Sequence, residues 1–192
     1  LTLHSSLNWY NSEECVFLHF KLNPNIMALI TIGGNPAETN GILPSVGSTA
    51  PDFTLTATDL SSKSLNDFGT MRKVLNIFPS IQTGVCATSA RKFNDEASKL
   101  KNTKIICISK DLPFAHSGFC ATEGIENLEM LSDYKDTNFG DDYKLLITKS
   151  AFTGLLSRAV IVLDENNQVL YTEQVPEIGQ EPDYDAALNA LK

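Results

Sequence analysis

The 192-residue sequence lacks the features that mark several specialised classes of protein. It has 15 Lys and Arg residues against 23 Asp and Glu residues, so its net charge of −8 gives no basic excess for binding nucleic-acid phosphates. It contains no run of about 18 apolar residues, so no membrane-spanning helix is expected. Its four cysteines are too few for the disulfide framework of a small secreted protein.

Motifs for common cofactor and metal sites are also missing. Gly33-Gly34 is not followed by a dinucleotide-binding or P-loop pattern. His116 and Cys120 are four residues apart and could share a helix face, but two ligands do not complete a zinc site. A single histidine after residue 27 and the lack of a G-x-S-x-G motif argue against a histidine-based triad. We therefore expect no metal and no nucleotide.

Residues 1–26 differ from the remainder of the chain. They hold the single tryptophan, two of the three histidines and Cys15, with neither a helical nor a strand period. They lack the basic start and cleavage site of a secretory signal. We interpret residues 1–26 as an extension and residues 27–192 as one domain. The alternative is a packing or partner-binding segment, because its aromatic side chains need cover.

From residue 28 onward, short strands alternate with helices. A hairpin comes first, with strands predicted over 28–32 and 39–43 on either side of Gly33-Gly34. Two buried strands follow at Lys73–Phe78 and Ile105–Ser109. Between those two strands, apolar residues recur every three or four positions, as on one face of a helix. Pro113–Glu123 is predicted to be a second helix that ends at Gly124.

The last part of the chain is predicted to add a strand pair and a helix. Strands at 158–163 and 168–174 flank a turn, a helix is expected over 138–146, and another over 182–191. This alternation predicts an α/β fold, in which one sheet carries helices on both faces.

The end of the first buried strand carries the most informative residues. Pro79 ends the strand, and Thr83 is a good N-cap, which places Cys86 in the first helical turn. The helix dipole stabilises a thiolate there by roughly 0.3–2 kcal/mol, so a fast thiol enzyme would also need placed hydrogen-bond donors. On the residues alone, Cys86 could also be a buried apolar residue, Thr83 a plain N-cap and Pro79 a strand terminator.

A resemblance to a known family rests on these residues. Pro79-x-x-x-Thr83-x-x-Cys86 resembles the active-site signature of the peroxiredoxins, and the surrounding segment is similar to the bacterial thiol peroxidase (Tpx) subfamily. Four other segments carry the same likeness: Ala50–Leu55, Asp111–Ala115, Arg158–Val162 and Glu181–Tyr184. The resemblance implies a thioredoxin-like α/β fold with a central mixed sheet, flanking helices and an N-terminal β-hairpin.

The resemblance also implies roles for individual residues. The cysteine matching Cys86 attacks the peroxide and becomes a sulfenic acid, and Cys120 matches the cysteine that then forms an intramolecular disulfide with it. Thr83 and Arg158 match residues that orient the peroxide, and Pro79 matches a proline that shields the sulfur. On the residues alone, Arg158 could be a solvated charge or part of an ion pair, and Cys120 a buried helix residue.

The implied function is that of a bacterial, cytoplasmic antioxidant enzyme. It would reduce hydrogen peroxide and organic hydroperoxides, be recycled by thioredoxin and form a homodimer, without metal, haem or flavin, because sulfur carries the electrons. Two alternatives remain open. A thiol–disulfide oxidoreductase would have a cysteine at position 83, where Thr83 stands, and a redox sensor or binding module could share the fold. His116-Ser117-Gly118 departs from the bulkier polar residues expected in the subfamily.

Overall fold

The computed structural model describes residues 27–135 and 138–192, so the predicted extension, residues 1–26 with Cys15, lies outside the described residues. The strands are β1 (Leu29–Ile32), β2 (Asn35–Thr39), β3 (Thr54–Ala57), β4 (Ser62–Ser64), β5 (Arg72–Ile77), β6 (Thr103–Ser109), β7 (Leu128–Ser132), β8 (Ile147–Lys149), β9 (Ala159–Leu163) and β10 (Val169–Gln174). The helices are α1 (Gly84–Ala97), α2 (Pro113–Glu123), α3 (Asn138–Asp142) and α4 (Tyr184–Asn189), with a 3-10 turn at Leu65–Phe68.

Seven strands form one mixed sheet in the order β10-β9-β5-β6-β7-β3-β4. β5, β6 and β7 run parallel, whereas β9 runs antiparallel to β5. Neighbouring residues on β5 point to opposite faces, so Val74 and Leu75 enter two different apolar clusters and both are fully buried. The expected central mixed sheet and thioredoxin-like α/β class are confirmed.

Helices cover both faces of this sheet. On one face, Phe93 of α1 and Ala187 of α4 pack on the cluster that contains Val74. On the other face, Phe139 of α3 and Tyr143 belong to the cluster that contains Leu75. No helix in the described ranges is long and apolar enough to cross a membrane.

The N-terminal hairpin forms a second, smaller sheet with β8. Its turn is Gly33-Gly34, where both residues have positive φ angles of 59° and 79°, the conformation that favours glycine in a two-residue hairpin turn. The turn is so short that β2 begins at Asn35, although the sequence pattern favoured a second strand over 39–43.

Two predicted helices are shorter than expected. The helix predicted over 138–146 ends at Asp142, and Lys144 has a φ of 61°, which an α-helix does not accommodate. In the last helix, the Asp183 side chain accepts the Ala186 N–H at 2.9 Å, so this N-cap fixes the start at Tyr184. β4 and β8 were not predicted, because three residues are too few to show a strand period.

Candidate active site

Cys86 lies at the junction between the sheet and a helix N-terminus. It is the third residue of α1, which begins at Gly84 just beyond the end of β5, and its side chain is 0% exposed. Thr83 is the N-cap, with an extended backbone at φ −100° and ψ 147°. The predicted helix start is therefore confirmed, and the sulfur lies near the unpaired N–H groups of the first turn.

The Thr83 side chain does not cap the helix. A side chain that caps a helix accepts a backbone N–H of the first turn, and no N–H of α1 donates to the Thr83 side chain. Its hydroxyl instead lies 2.8 Å from Cys86 Sγ and 3.1 Å from the Ser80 carbonyl oxygen, two acceptors for its single proton. The hydroxyl is thus directed at the sulfur and tied to the preceding loop.

Arg158 reaches the same sulfur from another strand. It immediately precedes β9 and is only 2% exposed, which excludes a solvated strand-end charge. Its Nε donates to the Ile178 carbonyl at 2.9 Å, and Nη2 lies 3.4 Å from Cys86 Sγ. Nη1 is buried and has no hydrogen-bond partner within residues 27–135 and 138–192, so this donor is unused in the present arrangement.

A cavity of about 360 Å³ adjoins the residues that surround Cys86. Thr83 and Arg158, the two donors to Cys86, both line it. The other lining residues are mainly apolar and include Ile32, Pro79, Val85, Phe152 and Ile178. A larger cavity of about 460 Å³ lies between Phe53 and Asn138, and neither of the two donors to Cys86 lines it.

Cys120 is close to this site but is not part of the donor arrangement. It lies on α2, is half-buried, and packs against the apolar cluster that contains Cys86 and Cys107. Burial raises the pKa of the Cys120 thiol. The three cysteines of the described residues, Cys86, Cys107 and Cys120, are free thiols, so the structure shows their reduced arrangement.

Cys107 is a core residue, as expected from its apolar neighbours. It is 0% exposed in the middle of β6, and Asn76 Nδ2 donates to its sulfur at 3.4 Å. Burial is the main cause that raises the pKa of Cys107 to about 12, so its thiolate is not formed near neutral pH.

The structure thus groups Pro79, Thr83 and Arg158 around Cys86 and places Cys120 in the adjoining cluster. Sequence reasoning missed Glu177, which organises one wall of the cavity. Its carboxylate accepts hydrogen bonds from the N–H groups of Gly33, Gly34 and Gly179 and from the Thr31 hydroxyl. No local pattern signals this contact, because 143 residues separate Glu177 from Gly34.

These bonds also change the charge behaviour of Glu177. The N–H of Gly34, followed by the N–H of Gly179 and the Thr31 hydroxyl, lowers the pKa of this carboxyl from 4.5 to about 2. Glu177 therefore fastens the hairpin turn to the segment whose Ile178 carbonyl holds Arg158.

Known proteins are similar to this chain in both sequence and fold. The profile of the Redoxin family matches residues 45–188. The thiol peroxidase of Streptococcus sanguinis is 57% identical over 164 residues, which cover 85% of this chain and 99% of that protein. The thiol peroxidase of Corynebacterium glutamicum is 53% identical over 165 residues, covering 86% of this chain and 99% of that protein.

Two solved structures extend the comparison. A peroxiredoxin-like protein from Aquifex aeolicus has a TM-score of 0.79 at 34% identity, covering 85% of this chain and 96% of the other. A thiol peroxidase from Chromobacterium violaceum has a TM-score of 0.80 at 24% identity, covering 85% and 94%, and this second likeness concerns the fold.

Proposed function

Since the chain belongs to the Redoxin family, as a thiol-dependent peroxidase of the bacterial thiol peroxidase (Tpx) group, we propose that Cys86 is the residue that attacks the hydroperoxide. One observation carries this proposal. Cys86 Sγ lies at a helix N-terminus and is met by two donors from different elements, Thr83 at 2.8 Å and Arg158 at 3.4 Å. Such donors stabilise charge on sulfur and on an oxygen beside it.

In the first step, the Cys86 thiolate attacks one peroxide oxygen and the O–O bond breaks. The sulfur is oxidised to a sulfenic acid, and the second oxygen leaves with a proton as an alcohol or as water. The unpartnered Nη1 of Arg158 is the donor available to this leaving oxygen, while Thr83 holds the attacking end. A single placed donor of this kind is worth about 10²–10³-fold in rate.

The cavity supports organic hydroperoxides as substrates alongside hydrogen peroxide. Ile32, Phe152 and Ile178 offer apolar surface for an alkyl or aryl group, while the peroxide end points at Thr83 and Arg158. Pro79 lines the same cavity and keeps water from the sulfur.

In the second step, the Cys120 thiol attacks the sulfenic sulfur of Cys86, the S–O bond breaks, and a disulfide and water form. The half-buried position of Cys120 beside the cluster of Cys86 supports this pairing. Two electrons from a dithiol then restore both thiols, and the family supports thioredoxin as the donor.

The cellular setting follows from the same resemblance. A catalytic disulfide that must be reduced in every cycle suits a reducing bacterial cytoplasm, and the subfamily implies a homodimer. The working domain is residues 27–192, with residues 1–26 as an extension.

Peroxide consumption coupled to thioredoxin and its reductase tests these roles. Cys86→Ser should abolish turnover, Cys120→Ser should stop it after one equivalent, and Cys107→Ser is the matched control with continued turnover. Undiminished activity in Cys86→Ser would overturn the proposal. After one equivalent of peroxide, mass spectrometry should find a Cys86–Cys120 peptide, whereas a Cys86–Cys107 peptide would assign the second step to Cys107.

A further inference from the structure

Asp111 lies between the two segments that carry Cys86 and Cys120. Its Oδ1 accepts the Ser80 hydroxyl at 2.7 Å, and its Oδ2 accepts the Ile81 N–H at 2.7 Å. Ser80 and Ile81 belong to the loop that joins β5 to α1. Because the acceptor is ionised, these hydrogen bonds are stronger than those between neutral groups. One carboxylate therefore holds the loop that leads to Cys86.

The same carboxylate is connected to the helix of Cys120. Asp111 Oδ2 accepts the Ser109 hydroxyl at 2.7 Å, and that hydroxyl oxygen lies 2.8 Å from Nε2 of His116 on α2. Since Ser109 gives its proton to Asp111, Nε2 of His116 is the donor and Nδ1 is bare, as the hydrogen-bond network assigns it. Nδ1 accordingly has no partner in the described part of the chain.

His116 is suited to a fixed role. It is 0% exposed, and burial lowers its pKa to about 4, so the ring is neutral near pH 7. It precedes Cys120 by one helical turn on the same face of α2, so its bond to Ser109 anchors the turn from which Cys120 projects.

We propose that Asp111, acting through Ser109 and His116, is a positioning residue that clamps both cysteine-bearing segments in the reduced arrangement, and that release of this clamp sets the rate of disulfide formation. The proposal rests on the roles of Cys86 and Cys120 proposed above. The clamp consists of Ser80, Ile81, Ser109, Asp111 and His116.

In this proposal, the disulfide forms after the clamp is released. Cys86 is fully buried beneath its two donors, and burial holds Cys120 in its protonated form. A disulfide needs Cα atoms within about 7 Å and a defined S–S geometry. Cys86 and Cys120 are unbonded in this arrangement, and the proposal is that one segment moves before their sulfurs meet. Movement of either segment breaks bonds to Asp111 or Ser109. The sulfenic acid that waits for release is exposed to a second hydroperoxide, which oxidises it to a sulfinic acid and leaves as an alcohol or water.

The clamp also supports the first chemical step. The Ser80 carbonyl accepts the Thr83 N–H at 3.1 Å and lies 3.1 Å from the Thr83 hydroxyl, whose proton it shares with Cys86 Sγ. Asp111 therefore acts on Cys86 through Ser80 and Thr83. Loss of Asp111 should consequently slow peroxide attack and accelerate disulfide formation, two effects of opposite sign. The exposed Arg91–Glu123 ion pair also joins α1 to α2, but an exposed pair stabilises little.

The test measures the two steps separately in the full chain. Each protein is mixed with one equivalent of cumene hydroperoxide, quenched in acid at set times, alkylated and analysed by mass spectrometry. Loss of the Cys86 thiol gives the rate of attack, and appearance of the Cys86–Cys120 disulfide gives the rate of closure. The variants are Asp111→Ala, Asp111→Asn and His116→Phe. Glu129→Gln is the matched control, since Glu129 pairs with Lys104 away from both segments.

For Asp111→Ala we expect attack to be about tenfold slower and closure about tenfold faster, as for the loss of charge-assisted hydrogen bonds. Asp111→Asn keeps an acceptor for Ile81 and should largely restore both rates. His116→Phe releases only the α2 side, so it should change closure more than attack. A general loss of stability would loosen both segments at once, so the selective effect of His116→Phe on closure distinguishes the clamp from it.

Unchanged or slower closure in both Asp111→Ala and His116→Phe would overturn the clamp. If Asp111→Ala does not fold, His116→Phe decides the question by itself. A wild-type protein that never forms the Cys86–Cys120 disulfide would overturn the role of Cys120 and the clamp together. Normal wild-type closure with unaffected variants would overturn the clamp alone.

Discussion

The guanidinium of Arg158 lies 3.4 Å from the sulfur of Cys86, although 72 residues separate the two in the chain. The Ile178 carbonyl fixes the guanidinium through Nε, Nη2 lies beside the sulfur, and the Arg158 side chain also lines the cavity. A positive charge held in this way stabilises the transition state more than a mobile charge does, because the protein need not reorganise when the O–O bond breaks.

Arg158→Lys should show how much of this effect depends on geometry. Lysine keeps the positive charge but loses the planar fork that bonds Ile178 and the sulfur at once. We expect peroxide attack to slow by about 10²–10³-fold, measured as loss of the Cys86 thiol in single-turnover experiments. Arg91→Lys on the exposed side of α1 is the control and should retain the wild-type rate. An Arg158→Lys rate within twofold of wild type would contradict the assigned role.

Thr83→Val separates the hydroxyl from the shape of the side chain. Valine fits the extended backbone at this N-cap but cannot donate to Cys86, so attack should slow by about 10²–10³-fold. Thr83→Ser retains the hydroxyl and should restore most of the rate.

The same variant makes a second, independent prediction about stability. Because no N–H of α1 donates to the Thr83 side chain, Thr83→Val should cost less than the typical ~1 kcal/mol of a lost N-cap. Urea denaturation measures this cost. A larger loss would show that the hydroxyl caps the helix in solution.

Phe152→Ala tests the apolar side of the cavity. Removing the ring takes away surface that would cover an alkyl or aryl group, so kcat/KM for cumene hydroperoxide should fall by about tenfold. Hydrogen peroxide does not reach that surface, and its kcat/KM should stay close to wild type. Leu60→Ala, at an exposed apolar residue, should change neither value. If kcat/KM fell equally for both peroxides, Phe152 would affect the reactivity of the sulfur and not the binding of the organic group.

Local signals made part of this site predictable. Pro113 at the first turn and Gly124 in the left-handed conformation fix the bounds of α2, and both were recognised from the sequence. Thr83 at the N-cap likewise placed Cys86 in the first turn of α1. The direction of the Thr83 hydroxyl was not predictable, since it depends on where the loop before α1 is held. The contact of Glu177 with the hairpin also joins distant parts of the chain, and only the folded topology brings them together.

Glu177 should make the free energy of unfolding depend on pH in the acidic range. Its carboxyl has a pKa of about 2 in the folded protein, against an ordinary value of 4.5, because the Gly34 N–H and its neighbours bind the ionised form. A lowered pKa stabilises the fold above pH 4.5, and this stabilisation is lost as the pH falls from 4.5 towards 2. Glu177→Gln removes the titrating group. The variant should therefore be less stable than wild type at neutral pH, and the difference should shrink as the pH falls.

Urea unfolding between about pH 7 and pH 3 measures this difference, since the free energy of unfolding of each protein is compared at the same pH. Glu126→Gln, in the loop between α2 and β7, is the matched control and should follow the wild-type curve. The hairpin turn also lines the cavity, so Glu177→Gln should raise KM for cumene hydroperoxide more than for hydrogen peroxide. A difference in stability that is the same at every pH would show that the Glu177 carboxylate does not bind the turn in solution. In that case, Ile178 and Arg158 would have to be held by the remaining contacts of their own segment.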